Sequence, residues 1–267
     1  MNVEKAGIIW TSALALGLVL PARAAAVLHK QIVDYRQGGA VLSGYLAYDD
    51  SIPGSLPAVL VFHHWMGIDQ YIMDRTEQLA RMGYVAFAAD IYGKGVKPKD
   101  NKEAAALSGT FRNDRQLMRA RAQAALDTLR RMARVDSKRI AAIGYCFGGG
   151  VALELARSGA DIAGVVSFHG TLDTPRPEDA KNIKGKILVL QGADDPVAPD
   201  SQIVKFEDEM RKAGVDYQIV LYGGAVHSFS MPAAGNDPKT GSAYNEKADR
   251  RSWQAMKDFF AELFSGR

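Results

Sequence analysis

The segment Ile140-Ala-Ala-Ile-Gly144-Tyr-Cys146-Phe-Gly148-Gly-Gly150 constrains this chain more than any other. An apolar run of strand character ends in Gly-x-Cys-x-Gly and passes directly into helical spacing. This is the thiol counterpart of the Gly-x-Ser-x-Gly elbow, which joins a strand to a helix and lifts a nucleophile above a sheet. So tight a turn leaves its central residue in strained backbone. Side chains two positions to either side would collide with neighbouring elements, so glycine is required at both. The turn sets the sulfur at the start of a helix, where free N–H groups and the dipole favour a thiolate and an oxyanion. A glycine-rich turn of this kind also suits phosphate, but that chemistry wants Gly-x-Gly-x-x-Gly or a lysine-bearing loop. Neither fits well here.

The rest of the chain is consistent with such a turn. Gln31–Tyr35 and Val41–Tyr48 alternate partly around Gly38-Gly39, which reads as an antiparallel hairpin. Ala58–Phe62 is a short apolar run with the mark of a strand buried on both faces. Helical spacing follows over Asp74–Met82 and stops at Gly83, and Tyr84–Ala89 resumes the strand pattern. Asn113 or Asp114 caps a long helix running to about Met132. Strands over Arg139–Ile143, Ile162–Phe168, Ile187–Leu190 and Tyr217–Leu221 then alternate with helices over Gly149–Ala156, Ser201–Lys212 and Arg250–Phe264. The loop Gly93–Lys102 reads as a solvated excursion. Such alternation after an opening hairpin predicts an α/β fold built on a mainly parallel, doubly wound sheet.

Length and composition agree with one large domain over residues 27–267. Of the 267 residues 47% are hydrophobic and 24% charged, which suits a sizeable core. A net charge of +3 without a basic run gives no footing for a nucleic-acid partner. Residues 1–26 read as a signal peptide, cleaved on export to the periplasm or outside the cell. Ala6 to Leu20 is uncharged and mostly apolar, Pro21 breaks the run, and Ala22-Arg23-Ala24-Ala25-Ala26 offers small residues for cleavage. The stretch falls short of the roughly 20 residues of a spanning helix, so no stable membrane insertion is expected after processing. An uncleaved anchor is the alternative. Cys146 is the sole cysteine, which excludes an internal disulfide. A buried, inert thiol is the ordinary fate of such a residue, and the elbow around it argues otherwise.

A nucleophile on this turn needs an acid and then a histidine later in the chain. Lys186-Ile-Leu-Val-Leu-Gln-Gly192-Ala-Asp194-Asp195-Pro196 is a strand ending in a loop with two carboxylates. The spacing favours Asp195 as the acid, with Asp194 as an alternative that would instead cap the turn. Gly223-Gly-Ala-Val-His227-Ser-Phe229 supplies the histidine on a loop after the last strand.

These segments resemble the dienelactone hydrolase family of α/β-hydrolases. The resemblance rests on Gly144-Tyr-Cys146-Phe-Gly148-Gly149, Gly192-Ala-Asp-Asp195 and His227-Ser-Phe229. It extends to His63-His64-Trp65-Met66-Gly67 and to Gly83-Tyr84 with Asp90-Ile-Tyr92-Gly93. It implies an α/β-hydrolase fold and hydrolysis of a small-molecule carboxylic ester or lactone without a cofactor. Cys146 would be the nucleophile, His227 the general base and acid, Asp195 its orienter. The backbone N–H groups of Trp65 and Phe147 would form the oxyanion hole. Water would then resolve a thioester acyl-enzyme.

The chain departs from the family pattern at two positions. His64 stands where members commonly carry a glutamate that interacts with the resting thiol, and an imidazole there would favour the thiolate. Met231 stands where dienelactone-specific enzymes have an arginine for the substrate carboxylate; Arg112 and Arg115 lie in the region from which another would come. The rival reading is a non-catalytic, ligand-binding member of the same fold. His64, Tyr92, Phe229 and Met231 are candidates for substrate contact, though the aromatic residues here and Trp65 serve equally as packing. His63-His64 lacks the convergent ligands a zinc site needs, so no metal is expected. His169 reads as a structural histidine near the site. The sequence does not give the oligomeric state.

Overall fold

The computed structural model describes Met1 and residues 27–265. Strands β1 (Leu28–Gln37) and β2 (Ala40–Asp49) form the expected hairpin, closed by the two residues Gly38-Gly39. Gly38 takes a φ of 56°, a value that two-residue hairpin loops demand and glycine supplies without a steric penalty. The remaining strands are β3 (Leu56–Phe62), β4 (Val85–Ala89), β5 (Val135–Tyr145), β6 (Gly164–Phe168), β7 (Lys186–Gly192) and β8 (Tyr217–Tyr222). They form one eight-stranded sheet in the order β1-β2-β4-β3-β5-β6-β7-β8. β2 meets β4 antiparallel, and every pairing from β4 to β8 is parallel.

Helices cover both faces: α1 (Gln70–Arg81), α2 (Asn101–Asn113), α3 (Arg115–Arg130), α4 (Phe147–Arg157), α5 (Asp200–Ala213) and α6 (Glu246–Phe264). The period-two alternation of β3 separates the two cores. Ala58, Leu60 and Phe62 belong to the layer with Met118, Ala122 and Leu126 of α3, Val151 of α4 and Phe206 of α5. Val59 and Val61 join Ile72 and Leu79 of α1 and Met256 and Phe260 of α6. A parallel sheet covered in this way needs apolar residues on both sides of each central strand.

Each predicted element is present, generally a little longer than its apolar pattern. α1 starts a full turn earlier than the apolar spacing indicates, because Asp69 caps it by accepting the Ile72 N–H at 3.1 Å. α3 is capped by Asp114, whose carboxylate accepts from the Leu117 N–H at 2.9 Å. α2 is an addition to the sequence reading. Its buried face is only Ala104, Ser108 and Phe111, too small and too polar to give a helical signal. The solvated excursion therefore ends at Asp100, which caps α2.

No helix among the described residues is long and apolar enough to cross a membrane. The expected signal peptide, residues 1–26, lies outside the described residues except for Met1.

Candidate active site

The site lies at the C-terminal ends of β3, β5, β7 and β8, where loops leave a parallel sheet. Cys146 follows β5 directly and has φ 53°, a left-handed conformation that non-glycine residues adopt only when the surroundings enforce it. The two flanking glycines are fixed by close backbone approach. A Cβ at Gly144 would lie 2.0 Å from the Gly148 carbonyl oxygen, and one at Gly148 would lie 2.2 Å from that of Phe62. The elbow is thus packed against the end of β3 as well as on itself. Its backbone is pinned to the next strand by the Cys146 N–H, which donates to the Phe168 carbonyl at 3.0 Å.

The structure brings Cys146, His227 and Asp195 into one line. His227 Nε2 is 3.0 Å from Cys146 Sγ, and His227 Nδ1 is 2.9 Å from Asp195 Oδ2. The histidine loop is clamped to a later segment. The His227 N–H donates to the Gly241 carbonyl, and the His227 and Phe229 carbonyls accept from the Ala243 and Asn245 N–H groups. Asp195 is 3% exposed and is held from three sides. Besides His227, it accepts from the Val197 N–H at 2.8 Å and from Gln191 Nε2 at 2.6 Å. Asp194 is exposed and instead accepts from the Gly224 N–H at 3.1 Å, bracing the turn that leads to His227.

Electrostatics follow from this line. Burial pushes the Cys146 thiol up, but the adjoining His227 charge and hydrogen bond, the Phe147 N–H and Arg112 outweigh it. The thiol therefore lies below its usual value. Burial pulls His227 down, yet the Cys146 sulfur and the Asp195 carboxylate raise it to about 10. Both shifts favour a thiolate beside an imidazolium. Such a pair can attack an electrophilic carbonyl and then return a proton to the leaving oxygen.

Of the two expected oxyanion donors, the Phe147 N–H hydrogen-bonds the Cys146 sulfur. The Phe147 N–H opens α4, and the Trp65 N–H donates to no acceptor among the described residues. Tyr92 steadies the Trp65 peptide by donating its hydroxyl to the Trp65 carbonyl at 2.9 Å. Tyr92 also packs against His63, Phe111 and Phe147. His63 braces the same loop. Its Nε2 accepts from the Ile91 N–H at 3.2 Å, so Nδ1 carries the proton and donates to the His64 carbonyl at 2.6 Å. Burial lowers His63 to about 4, so this brace is neutral.

Several expected contacts are placed differently. Both ring nitrogens of His64 are engaged by groups other than the thiol. Its Nδ1 accepts from the Met66 N–H at 3.2 Å and its Nε2 donates to Asp69 at 2.9 Å, so the ring joins the loop to the α1 cap. The sequence carries no sign of this bond, because Asp69 caps α1 ahead of its apolar pattern. Phe229 is fully buried against His169 and Tyr222. Met231 is part-exposed at the start of a short turn, where its N–H donates to the Ser228 carbonyl at 2.9 Å. Arg115 is paired with Asp173 at 2.8 Å.

Arg112, in contrast, makes no ion pair among the described residues. Its guanidinium stands 5.8 Å from the Phe147 ring centroid, and its buried Nε has no partner. Gln191 was missed altogether. Its signal was a lone polar residue ending the apolar strand Ile187-Leu-Val-Leu-Gln191. Among the described residues no three His, Cys, Asp or Glu side chains converge as a metal site.

Comparison with known proteins gives a consistent result. The model of the dienelactone hydrolase family matches residues 42–264. A solved structure named m3DLH is 40% identical over 89% of this chain and 99% of its own, with a TM-score of 0.86. A second, described as a dienelactone hydrolase-like promiscuous phosphotriesterase from metagenomic libraries, is 38% identical over 90% and 99%, with a TM-score of 0.84. A Bradyrhizobium protein named "Probable 2-oxo-3-(5-oxofuran-2-ylidene)propanoate lactonase" is 31% identical over 74% of this chain and 82% of its own.

Proposed function

The chain belongs to the dienelactone hydrolase family, and from that premise we propose that it hydrolyses a carboxylic ester or lactone through Cys146, His227 and Asp195. The observation that carries this reading is the unbroken line from Asp195 Oδ2 through His227 to Cys146 Sγ, at 2.9 and 3.0 Å. In this mechanism the thiolate adds to the carbonyl carbon and the oxyanion forms between the Phe147 and Trp65 N–H groups. The tetrahedral intermediate collapses as the imidazolium of His227 gives its proton to the leaving oxygen. The acyl group is left on Cys146 as a thioester. Now neutral, His227 takes a proton from water, which attacks the thioester and releases the acid. Asp195 holds the imidazole in register and stabilises its charge throughout, itself fixed by Gln191 and the Val197 N–H.

The substrate reading is supported by Arg112. It is an unpaired cation beside the nucleophile, suited to an acid group on the acyl side, while Met231 offers no charge. Arg112→Ala should lower kcat/KM for an ester carrying a second carboxylate by about 10- to 100-fold, the scale of a charged hydrogen bond. A neutral ester should change little.

The thioester is tested by quenching the enzyme during turnover of an activated ester and weighing the peptide that contains Cys146. An acyl adduct on Cys146 is expected; an adduct on another residue would contradict the reading. A second activity, on phosphotriesters, is favoured by the 38% identical relative described in those terms. It is checked by release of p-nitrophenol from an aryl phosphotriester.

A further inference from the structure

Three residues other than glycine take positive φ among the described residues: Cys146 at 53°, Ser228 at 58° and His169 at 38°. Cys146 and Ser228 belong to the elbow and the histidine loop. His169 has no part in the mechanism above, although strained backbone gathers where surroundings fix a side chain for use. It follows β6, between Phe168, whose carbonyl accepts from the Cys146 N–H, and Gly170. Its own N–H donates to the Leu190 carbonyl of β7 at 2.8 Å. The backbone is thus pinned on both sides, and the ring is fully buried beneath His227.

Its contacts lead to the same loop as the general base. The His169 ring stands edge-on to His227 at 5.3 Å and 74°, and edge-on to Phe229 at 5.1 Å and 83°. Its Nε2 is 2.8 Å from Ser230 Oγ, and that hydroxyl is 2.8 Å from the Tyr71 hydroxyl of α1. Arg75 of the same helix donates to the Ser230 carbonyl at 3.1 Å. His169 therefore touches the imidazole of His227 directly and, three residues further on, is bonded to the loop that carries it. The second ring nitrogen, Nδ1, is buried with no partner beyond its own backbone, a cost that packing alone does not explain and a phenylalanine would have avoided.

We propose that His169 is a positioning residue for His227: its neutral ring, anchored through Ser230 to Tyr71, is the wall that keeps the imidazole in line between Asp195 and Cys146. Neutrality matters, because a second cation here would oppose the imidazolium of the thiolate pair. The groups facing His169 secure it. Burial lowers its basicity most, and His227, His64 on the β3 loop and Arg75 on α1 lower it further. Tyr145 of β5, with its ring 6.1 Å away, and Tyr71 of α1 complete the surroundings.

This inference rests on the Cys146–His227 reading, and one experiment separates the two. Cys146 is the sole cysteine, so iodoacetamide reports on a single thiol. Alkylation rate against pH, and kcat and KM for a p-nitrophenyl ester, are measured for wild type, His169→Phe, Ser230→Ala, the double variant and His227→Ala. His169→Phe and Ser230→Ala should each lower kcat by about tenfold, the effect of a modest misalignment, with KM nearly unchanged. Both should shift the alkylation midpoint towards that of an ordinary thiol. The double variant should be no worse than the poorer single, because the two side chains act as one unit. Unchanged kcat and midpoint in Ser230→Ala and in folded His169→Phe would overturn the proposal, as would independent, multiplying effects. If His169→Phe fails to fold, Ser230→Ala decides alone, since it removes only one hydroxyl. Wild-type alkylation behaviour in His227→Ala would instead remove the ion pair itself, and both readings with it.

Discussion

At Cys146 burial and the neighbouring charge of His227 pull in opposite directions. Burial alone would raise the thiol, and its net shift is downward because His227 stands 3.0 Å away and is itself raised by the sulfur and Asp195. The pH dependence follows with a definite sign. Activity should rise through the lowered apparent pKa of the pair, hold while thiolate and imidazolium coexist, and fall as His227 loses its proton near pH 10. A kcat/KM profile with its alkaline limb near 7 would contradict this. The neighbouring carboxylates should separate cleanly. His227→Ala should remove nearly all hydrolysis, Asp195→Asn should cost about 10²-fold or more, and Asp194→Asn should cost far less, since Asp194 only braces Gly224. Steady-state kinetics on the three variants would reverse the assignment if Asp194→Asn were the damaging change. The order of nucleophile, acid and histidine made this line legible in the sequence. Gln191 and the bond from His64 to Asp69 were not legible, because partners far apart or newly capped carry no signature of their own.

The elements show why a short motif was so informative. Gly144 and Gly148 are fixed by contacts within 2.2 Å of a virtual Cβ, so the motif reports three-dimensional packing at the elbow. Gly148→Ala should push the start of α4 away from Phe62, with a cost of about 1–3 kcal/mol and a fall in Tm of roughly 3–10 °C at this chain length. Thermal unfolding checks it, and an unchanged Tm would mean the contact relaxes freely. Strands are legible in the sequence, since burial on both faces of a parallel sheet writes continuous apolar runs such as Ala58–Phe62. Helix starts are less legible. Caps such as Asp69 precede the amphipathic pattern, and α2 buries little more than Ala104, Ser108 and Phe111. A buried ion network was also silent in the sequence: Arg157 of α4, fully buried, pairs with Glu154 and with Glu209 of α5 at 3.2 and 2.7 Å.

Across the whole molecule, the sheet order sets the site. Parallel strands β3, β5, β7 and β8 end at one edge, so the Trp65 loop, the elbow, Asp195 and His227 meet there although they span more than half of the chain. The fold and family were legible from motif order and strand–helix alternation, whereas the unpaired state of Arg112 was not, because only the packing reveals it. We propose further that the chain is exported, and the mature protein should begin near Ala25 or Val27; intact mass of the protein from its native fraction would show the full 267 residues if export processing does not occur. With Cys146 only 7% exposed, little of the thiol is open to oxidants. The central claim is that this one sulfur does the chemistry. The direct test is p-nitrophenyl ester hydrolysis by Cys146→Ala, with thermal unfolding as the check on folding. A loss of at least about 10³-fold is predicted for a nucleophile of this class, and hydrolysis within a few-fold of wild type by the folded variant would contradict the account.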